Sequence, residues 1–420
     1  MNIERSDIEI MAPAGSFESL MAAIQGGANS VYFGVQHLNM RATSSSNFTL
    51  DDMGKIVSIC REYNIKSYLT LNTVLYDHDL GLMRKIVEAA KNTGVSAIIL
   101  SDQAAIFEVQ SKGIEIHLST QLNISNIESL KFYAQWADVV VLARELNLTQ
   151  ISNIHKAIVE NQIKGPSGNL IKLELFVHGA LCMAISGKCY MSLHENNASA
   201  NRGACQQTCR KPYIVTEKES GYELEIDNEY IMSPKDLMTI QFLNKIIDAG
   251  ISVLKIEGRA RPPEYVKTVV ECYNEAVYAI VEQSYSTEKI NSWTERLSGV
   301  FNRGFWDGYY LGRKLGEWSH KYGSQATKRK VYIGKGNNYF QKIGVAEFIM
   351  ETGSLETGDE ILITGPTTGA IQTKVKEIRV DLKTVAKTQK GERFSIPVEE
   401  IVRRSDKLYK IVETNPDLQQ

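Results

Sequence analysis

An eightfold alternation restricts the fold of this chain more than any other feature. Between Ile8 and about Gln283, short apolar runs of strand character alternate with stretches whose apolar residues recur every three to four positions. The runs are Ile8–Ala12, Ser30–Gly34, Lys66–Leu71, Ser96–Leu100, Glu115–Leu118, Val139–Ala143, Lys172–Val177 and Val253–Glu257. The helical stretches include Phe17–Gly26, Leu50–Tyr63, Leu80–Thr93, Gln103–Lys112, Ile124–Trp136, Leu148–Val159 and Pro262–Gln283. Strand and helix in strict turn imply βαβ units and a parallel sheet. Eight units fit an α/β fold of the TIM type, a closed (β/α)8 barrel, better than an open sheet.

A closed parallel barrel has one chemically active end, because the residues just past each strand converge on its C-terminal mouth. Here those residues are rich in charge: Arg41, Asn72, Asp102, Gln121, Arg144, Glu145, His178, Lys255, Glu257 and Arg259. Glu145 and Asp102 have a plainer reading as helix caps, and Gly15 as a turn residue. Lys255, Glu257 and Arg259 alternate, so all three are predicted to face inward; interior charges are costly unless they pair with one another or with a polar ligand. An internal salt bridge and an anionic cosubstrate held by Lys255 and Arg259, with carboxylate contacts from Arg41 and Arg144, are the two readings. His178, four residues before Cys182, is a candidate for proton transfer, against the commoner role of a packed core histidine.

The loop after the seventh strand is far longer than the others, and the insertion 179–234 holds four of the six cysteines. Cys182, Cys189, Cys205 and Cys209 are separated by six, fifteen and three residues. A set of soft thiolate donors suits an iron–sulfur cluster or tetrahedral zinc, and spacing alone leaves both open. Cys60 and Cys272 fall in helical patterns and read as small buried hydrophobes. The polar start of the chain, Met1 to Asp7, does not resemble a signal peptide, so a reducing cytoplasm is expected and disulfides are not. Residues Glu217–Glu229 read as a solvated hairpin within the insertion.

The chain is too long for one core, and a second pattern begins near Lys328. Short runs at Val331–Gly334, Gly344–Phe348, Glu360–Thr364, Thr373–Val380 and Arg393–Ile396 predict a small C-terminal β-barrel of five or six strands over 328–411. A connector, 286–327, joins it to the barrel region 1–285, and a polar tail, 412–420, follows. A net charge of −2 excludes a uniformly basic nucleic-acid protein, so any RNA contact has to come from a local patch. Lys321, Lys328, Arg329, Lys330, Lys335 and Lys342 lie between Glu317 and Glu347 with no acid among them, and are the candidate phosphate contacts. No apolar run approaches the roughly 20 residues of a membrane span.

The cysteine region also carries a family resemblance. Glu174-x-Phe176-x-x-Gly179-Ala180-Leu181-Cys182, Gly187 and Cys189-x-Met191-Ser192 resemble the signature of peptidase family U32, the collagenase-like proteins. Ser119-Thr120-Gln121, Leu142-Ala143-Arg144-Glu145, Asn201-Arg202-Gly203-x-Cys205, Ser233-x-Lys235-Asp236-Leu237 and Lys255-Ile256-Glu257-Gly258-Arg259 extend it along most of the chain. The resemblance implies the barrel fold, a 4Fe-4S cluster on four cysteines of this region, and oxygen-independent hydroxylation of RNA. The expected substrate is the tRNA wobble uridine, converted to 5-hydroxyuridine with the dicarboxylate prephenate as cosubstrate; a collagenase-like peptidase and a non-catalytic RNA-binding scaffold are the alternatives. Some relatives carry a further cysteine near the second strand or after Lys-Asp-Leu, where this chain has Asn39 and Met238.

Overall fold

The computed structural model describes residues 3–43, 47–214, 230–312 and 316–414. The expected barrel is present. Its strands are β1 (Glu9–Pro13), β2 (Ser30–Phe33), β3 (Lys66–Leu71), β4 (Ala97–Leu100), β5 (Glu115–Leu118), β6 (Val139–Val141) and β7 (Lys172–Gly179), then a short β8 (Asp236–Met238) and β9 (Ile251–Ile256). Each pairs in parallel with the next from β1 to β7; β9 pairs in parallel with both β7 and β1, which closes eight strands into a ring. The short β8 lies outside the ring, antiparallel to the end of β7, and receives β10 (Phe305–Trp306) alongside.

Helices α1 (Phe17–Gln25), α2 (Asp52–Glu62), α3 (Leu80–Thr93), α4 (Gln103–Ser111), α5 (Ile127–Ala134) and α6 (Leu148–Glu160) follow the first six strands. The insertion contributes α7 (Met191–Asn196), then α8 (Leu243–Asp248) and α9 (Pro263–Val281) complete the ring of helices. Alternation explains the packing. On β3, Leu69 and Leu71 point outward into the helix-facing core while Tyr68 points into the barrel with Met11, Tyr32, Ile99 and Val253. Fully burying a leucine or isoleucine of this kind contributes about 1.5–3 kcal/mol.

Short polar residues start the helices. Ser16, Asp102, Asn126 and Asn147 cap α1, α4, α5 and α6, and Asn147 forms a reciprocal capping box with Gln150. Asp102 is thus a cap, and Glu145 is not. Gly15 serves close approach, since a Cβ there would collide with the Arg259 carbonyl.

The connector holds α10 (Thr287–Ser298) and β10 and packs on the barrel, where Tyr310 donates to the Phe176 carbonyl at 2.8 Å. Beyond it, β11 (Lys328–Phe340), β12 (Val345–Met350), β13 (Glu360–Gly365), β14 (Gly369–Lys374), β15 (Ile378–Val380), β16 (Lys383–Val385), β17 (Arg393–Pro397) and β18 (Lys407–Glu413) form one antiparallel sheet in the order β14-β13-β18-β11-β12-β17-β15-β16. It has eight strands where five or six were expected. Ile333, Phe348, Ile363, Ile371, Ile378, Phe394 and Leu408 share one buried cluster, so the sheet curls around its own core. Leu362 and Ala370 join the barrel's core instead, and Gln25 of α1 bonds Thr368 and Ala370 backbone at 2.9 and 3.0 Å. The predicted hairpin Glu217–Glu229 lies outside the described residues, as does most of the polar tail.

Candidate active site at the barrel mouth

The insertion folds back over the C-terminal ends of the strands. Backbone bonds tie it to the loops after β2 and β3: Thr43 N–H donates to Gly203 at 3.2 Å and Val74 N–H to Asn201 at 3.1 Å. Arg202 anchors it further, with its guanidinium 2.7 Å from Asp79 and stacked on Tyr76. Gly203 adopts φ +86° and lies where a Cβ would strike the Asn39 carbonyl, so the Asn201-Arg202-Gly203 run is a docking feature.

Beneath this cover is a cavity of about 160 Å³ lined by Arg41, Arg144, Lys255, Glu257 and Arg259 together with Cys182, Cys189, Cys205 and Cys209. The two groups that the sequence predicts separately are therefore walls of one chamber. A second hollow of about 150 Å³ adjoins it across Cys182–Ser186, lined by Glu145, Trp306, Tyr309 and Trp318, and Arg144 borders both.

The three alternating charges do not pair with one another. Lys255 is buried with its Nζ 2.6 Å from Glu174 on the neighbouring strand, and Glu174 is fully buried. Glu257 instead meets Arg41 at 2.6 Å. Burial pushes the Glu257 carboxyl up, but Arg41 outweighs it, with Arg261 and Arg144 adding, and holds it below the ordinary carboxylate value. Arg259 donates to the Asn39 side chain at 3.0 Å and to Thr70 at 2.9 Å, with no carboxylate in contact among the described residues. Burial lowers its pKa to about 10. Asn39, noted in the sequence only as the place of a missing cysteine, thus orients a mouth arginine.

Arg144 differs from all of these. Its guanidinium lies over the Phe176 ring at 4.2 Å, and its Nε and Nη1 are buried without a hydrogen-bond acceptor among the described residues. A buried donor left unpaired costs about 1–3 kcal/mol, and these two are open to an acceptor that lies in the chamber. Arginine's fixed fork suits a carboxylate.

All four insertion cysteines are free and border the chamber. Burial pushes the Cys209 thiol up to about 11, with Cys182, Cys205 and Cys189 adding to the rise and Arg210 opposing it, so the four sulfurs are near enough to feel one another. Their softness and number fit an iron–sulfur cluster or zinc. Among the described residues, no three His, Cys, Asp or Glu side chains stand arranged for a single metal ion. Cys60 and Cys272 are buried in helices, as expected.

Two candidates lie apart from the mouth. His178 is buried among Tyr265, Tyr273 and Phe305, away from the chamber lining. Burial, with Arg261 adding, lowers its pKa to about 3. Its surroundings are those of a neutral core histidine. The lysine run, secondly, is not a bare cationic strip. Lys328, Lys330 and Lys335 each lie 2.7 Å from a carboxylate, Glu360, Glu264 and Glu351 respectively. Arg329 is exposed on β11, Lys342 is exposed on the turn between β11 and β12, and Lys321 lies apart on the connector. Glu145 is exposed at the second hollow.

Sequence reasoning overlooked the polar interior below the mouth. His117 is buried with Nε2 3.1 Å from Glu115, and its Nδ1 stands 4.0 Å from Glu174 Oε2, both atoms lacking a hydrogen-bond partner. The alternation of His117 and Glu174 with outward apolar neighbours was the available signal.

The sequence profile of peptidase family U32 matches residues 15–320. A protein named collagenase from Porphyromonas gingivalis is 62% identical over 410 residues, covering 98% of this chain and 99% of its own. The tRNA hydroxylation protein P1 of Bacillus subtilis is 30% identical over 85% of this chain and 83% of its own. The 23S rRNA 5-hydroxycytidine C2501 synthase of Escherichia coli is 34% identical over 76% of this chain and 47% of its own.

Proposed function

The chain belongs to peptidase family U32, and from that premise we propose that it is an RNA-modifying enzyme: it hydroxylates a tRNA base, the wobble uridine, without oxygen and with prephenate as the oxygen-donating dicarboxylate. The observation that carries this reading is Arg144, whose buried donors face the chamber unpaired. A carboxylate satisfies them. Lys255 and Arg41, each already held by a glutamate, position the other polar wall. The adjoining hollow offers Trp306, Tyr309 and Trp318 as faces for a base drawn out of its stack, with Glu145 as an acceptor at its edge. Cys182, Cys189, Cys205 and Cys209 are assigned as ligands of a 4Fe-4S cluster, which when bound supplies one-electron chemistry or a Lewis-acidic iron beside the cosubstrate. Free thiols and such a cluster suit a reducing compartment. Among the described residues no helix is long and apolar enough to cross a membrane.

Identity to a protein named collagenase favours a second reading, a peptidase. The two separate in one experiment. Anaerobically reconstituted protein is incubated with tRNA and prephenate, and the nucleosides are analysed by mass spectrometry beside a gelatin-cleavage assay. Modified uridine that disappears in Cys182→Ala and Cys205→Ala supports the proposal; peptide cleavage with unmodified RNA replaces it. Iron and acid-labile sulfide are expected to fall in all four cysteine variants and not in Cys60→Ala or Cys272→Ala, whereas stoichiometric zinc that survives reconstitution overturns the cluster.

A further inference from the structure

A line of polar groups runs through the barrel from its mouth to its opposite end. Lys255 borders the chamber, and its Nζ lies 2.6 Å from Glu174 Oε1. Glu174 Oε2 faces His117 Nδ1 at 4.0 Å, and His117 Nε2 lies 3.1 Å from Glu115 Oε1. Glu115 is the first residue of β5, so it stands at the end away from the mouth, where its side chain is 44% exposed. Glu174 and His117 are buried, and the line is sealed from water between its ends.

The middle of this line lacks a proton. The hydrogen bond from His117, outweighing burial, holds the Glu115 carboxyl below its ordinary value, so Glu115 accepts and Nε2 carries the ring proton. Nδ1 then presents a bare lone pair to Glu174 Oε2, itself an oxygen of the carboxylate that Lys255 pairs. Two acceptors face to face explain both the 4.0 Å separation and why neither atom has a hydrogen bond among the described residues. Other polar groups nearby are engaged. Tyr68, whose ring lies 4.5 Å from His117, donates to Glu9 at 2.7 Å; Ser30 donates to the same carboxylate, and Lys66 lies 3.3 Å from it. Glu174 therefore stands between two bases, and one of them, Lys255, holds a proton that the other can accept.

We propose that Glu174 exchanges cationic partners: the proton of Lys255 passes through Glu174 to His117 Nδ1, which frees the Lys255 amine to take a proton from a molecule bound in the chamber. Nζ gives its proton to Oε1, a half-turn of the carboxyl carries it to Nδ1, and the ring becomes an imidazolium held between Glu174 and Glu115. Charge is conserved, because the cation beside Glu174 moves from one of its oxygens to the other. When Lys255 later returns a proton to the chamber, His117 replaces it along the same path. A buried lysine whose charge is taken up nearby is a general base, and such a group contributes about 100- to 10,000-fold to a rate. The inference goes beyond the RNA reading, since it holds for whichever reaction the chamber runs.

Nitrogen NMR of the histidine rings tests the arrangement without any assay of activity. In wild type, the His117 resonances, identified by their loss in His117→Gln, are expected to show a proton on Nε2 and none on Nδ1. In Lys255→Met, the carboxylate that Lys255 leaves draws a proton to Nδ1, and His117 is expected to gain its second proton at a pH about one unit or more above that in wild type. A resting proton on Nδ1, or an unchanged titration in Lys255→Met, overturns the proposal whatever the chamber's reaction. Kinetics supply the second test through Glu115→Gln, which alters a partly exposed side chain outside the chamber lining. With tRNA, kcat is expected to fall about 10-fold at unchanged KM for the dicarboxylate, and the rising limb of its pH profile to move up by about one unit, because the imidazolium loses one of its two carboxylates. His117→Gln is expected to lower kcat about 100-fold, again at unchanged KM. A Glu115→Gln enzyme with the wild-type kcat and pH profile overturns the relay. Wild type that modifies no tRNA sinks the RNA reading alone, and the NMR result then decides the relay by itself.

Discussion

Two groups of cations in this molecule, the lysines of β11 and the basic residues of the barrel mouth, differ in how the fold treats them. Along β11, Lys328, Lys330 and Lys335 occur in a stretch without acids, yet each meets a glutamate from another element and stays partly exposed. At the mouth, Lys255, Arg259 and Arg144 are scattered over the chain and are buried or nearly so, and Arg144 meets no acceptor. Local charge in a sequence therefore says little about unpaired charge in a structure. What distinguishes a functional cation is a desolvated donor that the fold leaves without a partner.

The largest effect expected from this contrast is at Arg144. Arg144→Ala should lower kcat/KM for the dicarboxylate by about 100- to 1,000-fold, the loss typical of removing one partner from a buried charge contact. The same variant, without cosubstrate, should melt within about 1 kcal/mol of wild type, because the buried donors it removes were unpaired. A large loss of stability with little loss of activity would make Arg144 structural.

Lys255 should behave the other way. Lys255→Ala leaves Glu174 buried and uncompensated, for a cost of about 3–5 kcal/mol. Lys255→Met/Glu174→Leu should recover most of that stability, since an apolar pair of similar volume replaces an ion pair at little net cost. Chemical denaturation of the three proteins checks this. Recovery of stability without recovery of modification would separate Lys255's part in the site from its part in the barrel.

His178 gives the next effect, through pH. Its folded pKa is about 3, below the ordinary value of 6.5. Between those values the unfolded chain binds a proton that the native chain refuses, so stability rises with pH across the window and is lost as pH falls below about 6.5. The slope approaches about 1.4 kcal/mol per pH unit. His178→Phe, set among three aromatic rings, should remove that slope and leave modification intact; a variant that melts normally but is inactive would restore the histidine to catalysis.

Much of the barrel was legible because its signal is local. The strand boundaries deviate little from the expected ones: β3 and β5 coincide with them, while the last barrel strand starts at Ile251 instead of Val253. The short β8 and β10, with three and two residues, carry no periodicity and form only because β7 and the connector pair with them. The cysteine set was legible from crowding alone. Partnerships were not: Glu174 and Lys255 are 81 residues apart, and their meeting follows from the β7–β9 register. Arg259's neutral partners, Asn39 and Thr70, are farther still in sequence. The same blindness to distant partners made the β11 lysines look bare.

Those lysines supply the smallest effect and the sharpest check on the contrast. Lys328→Ala, Lys330→Ala and Lys335→Ala should each cost only about 0.2–1 kcal/mol, because partly exposed ion pairs trade solvation for little gain, and the cost should shrink further in high salt. Their effect on RNA follows from the same pairing. A lysine already neutralised by a glutamate gives up that partner before it can take a phosphate, so Lys328→Ala/Arg329→Ala/Lys330→Ala should flatten the salt slope by about one unit at most, the share of the exposed Arg329, where three bare contacts would remove two to three. A change of two units or more would mean that RNA displaces Glu360 and Glu264 from these lysines, and that β11 joins the binding surface on contact with its substrate.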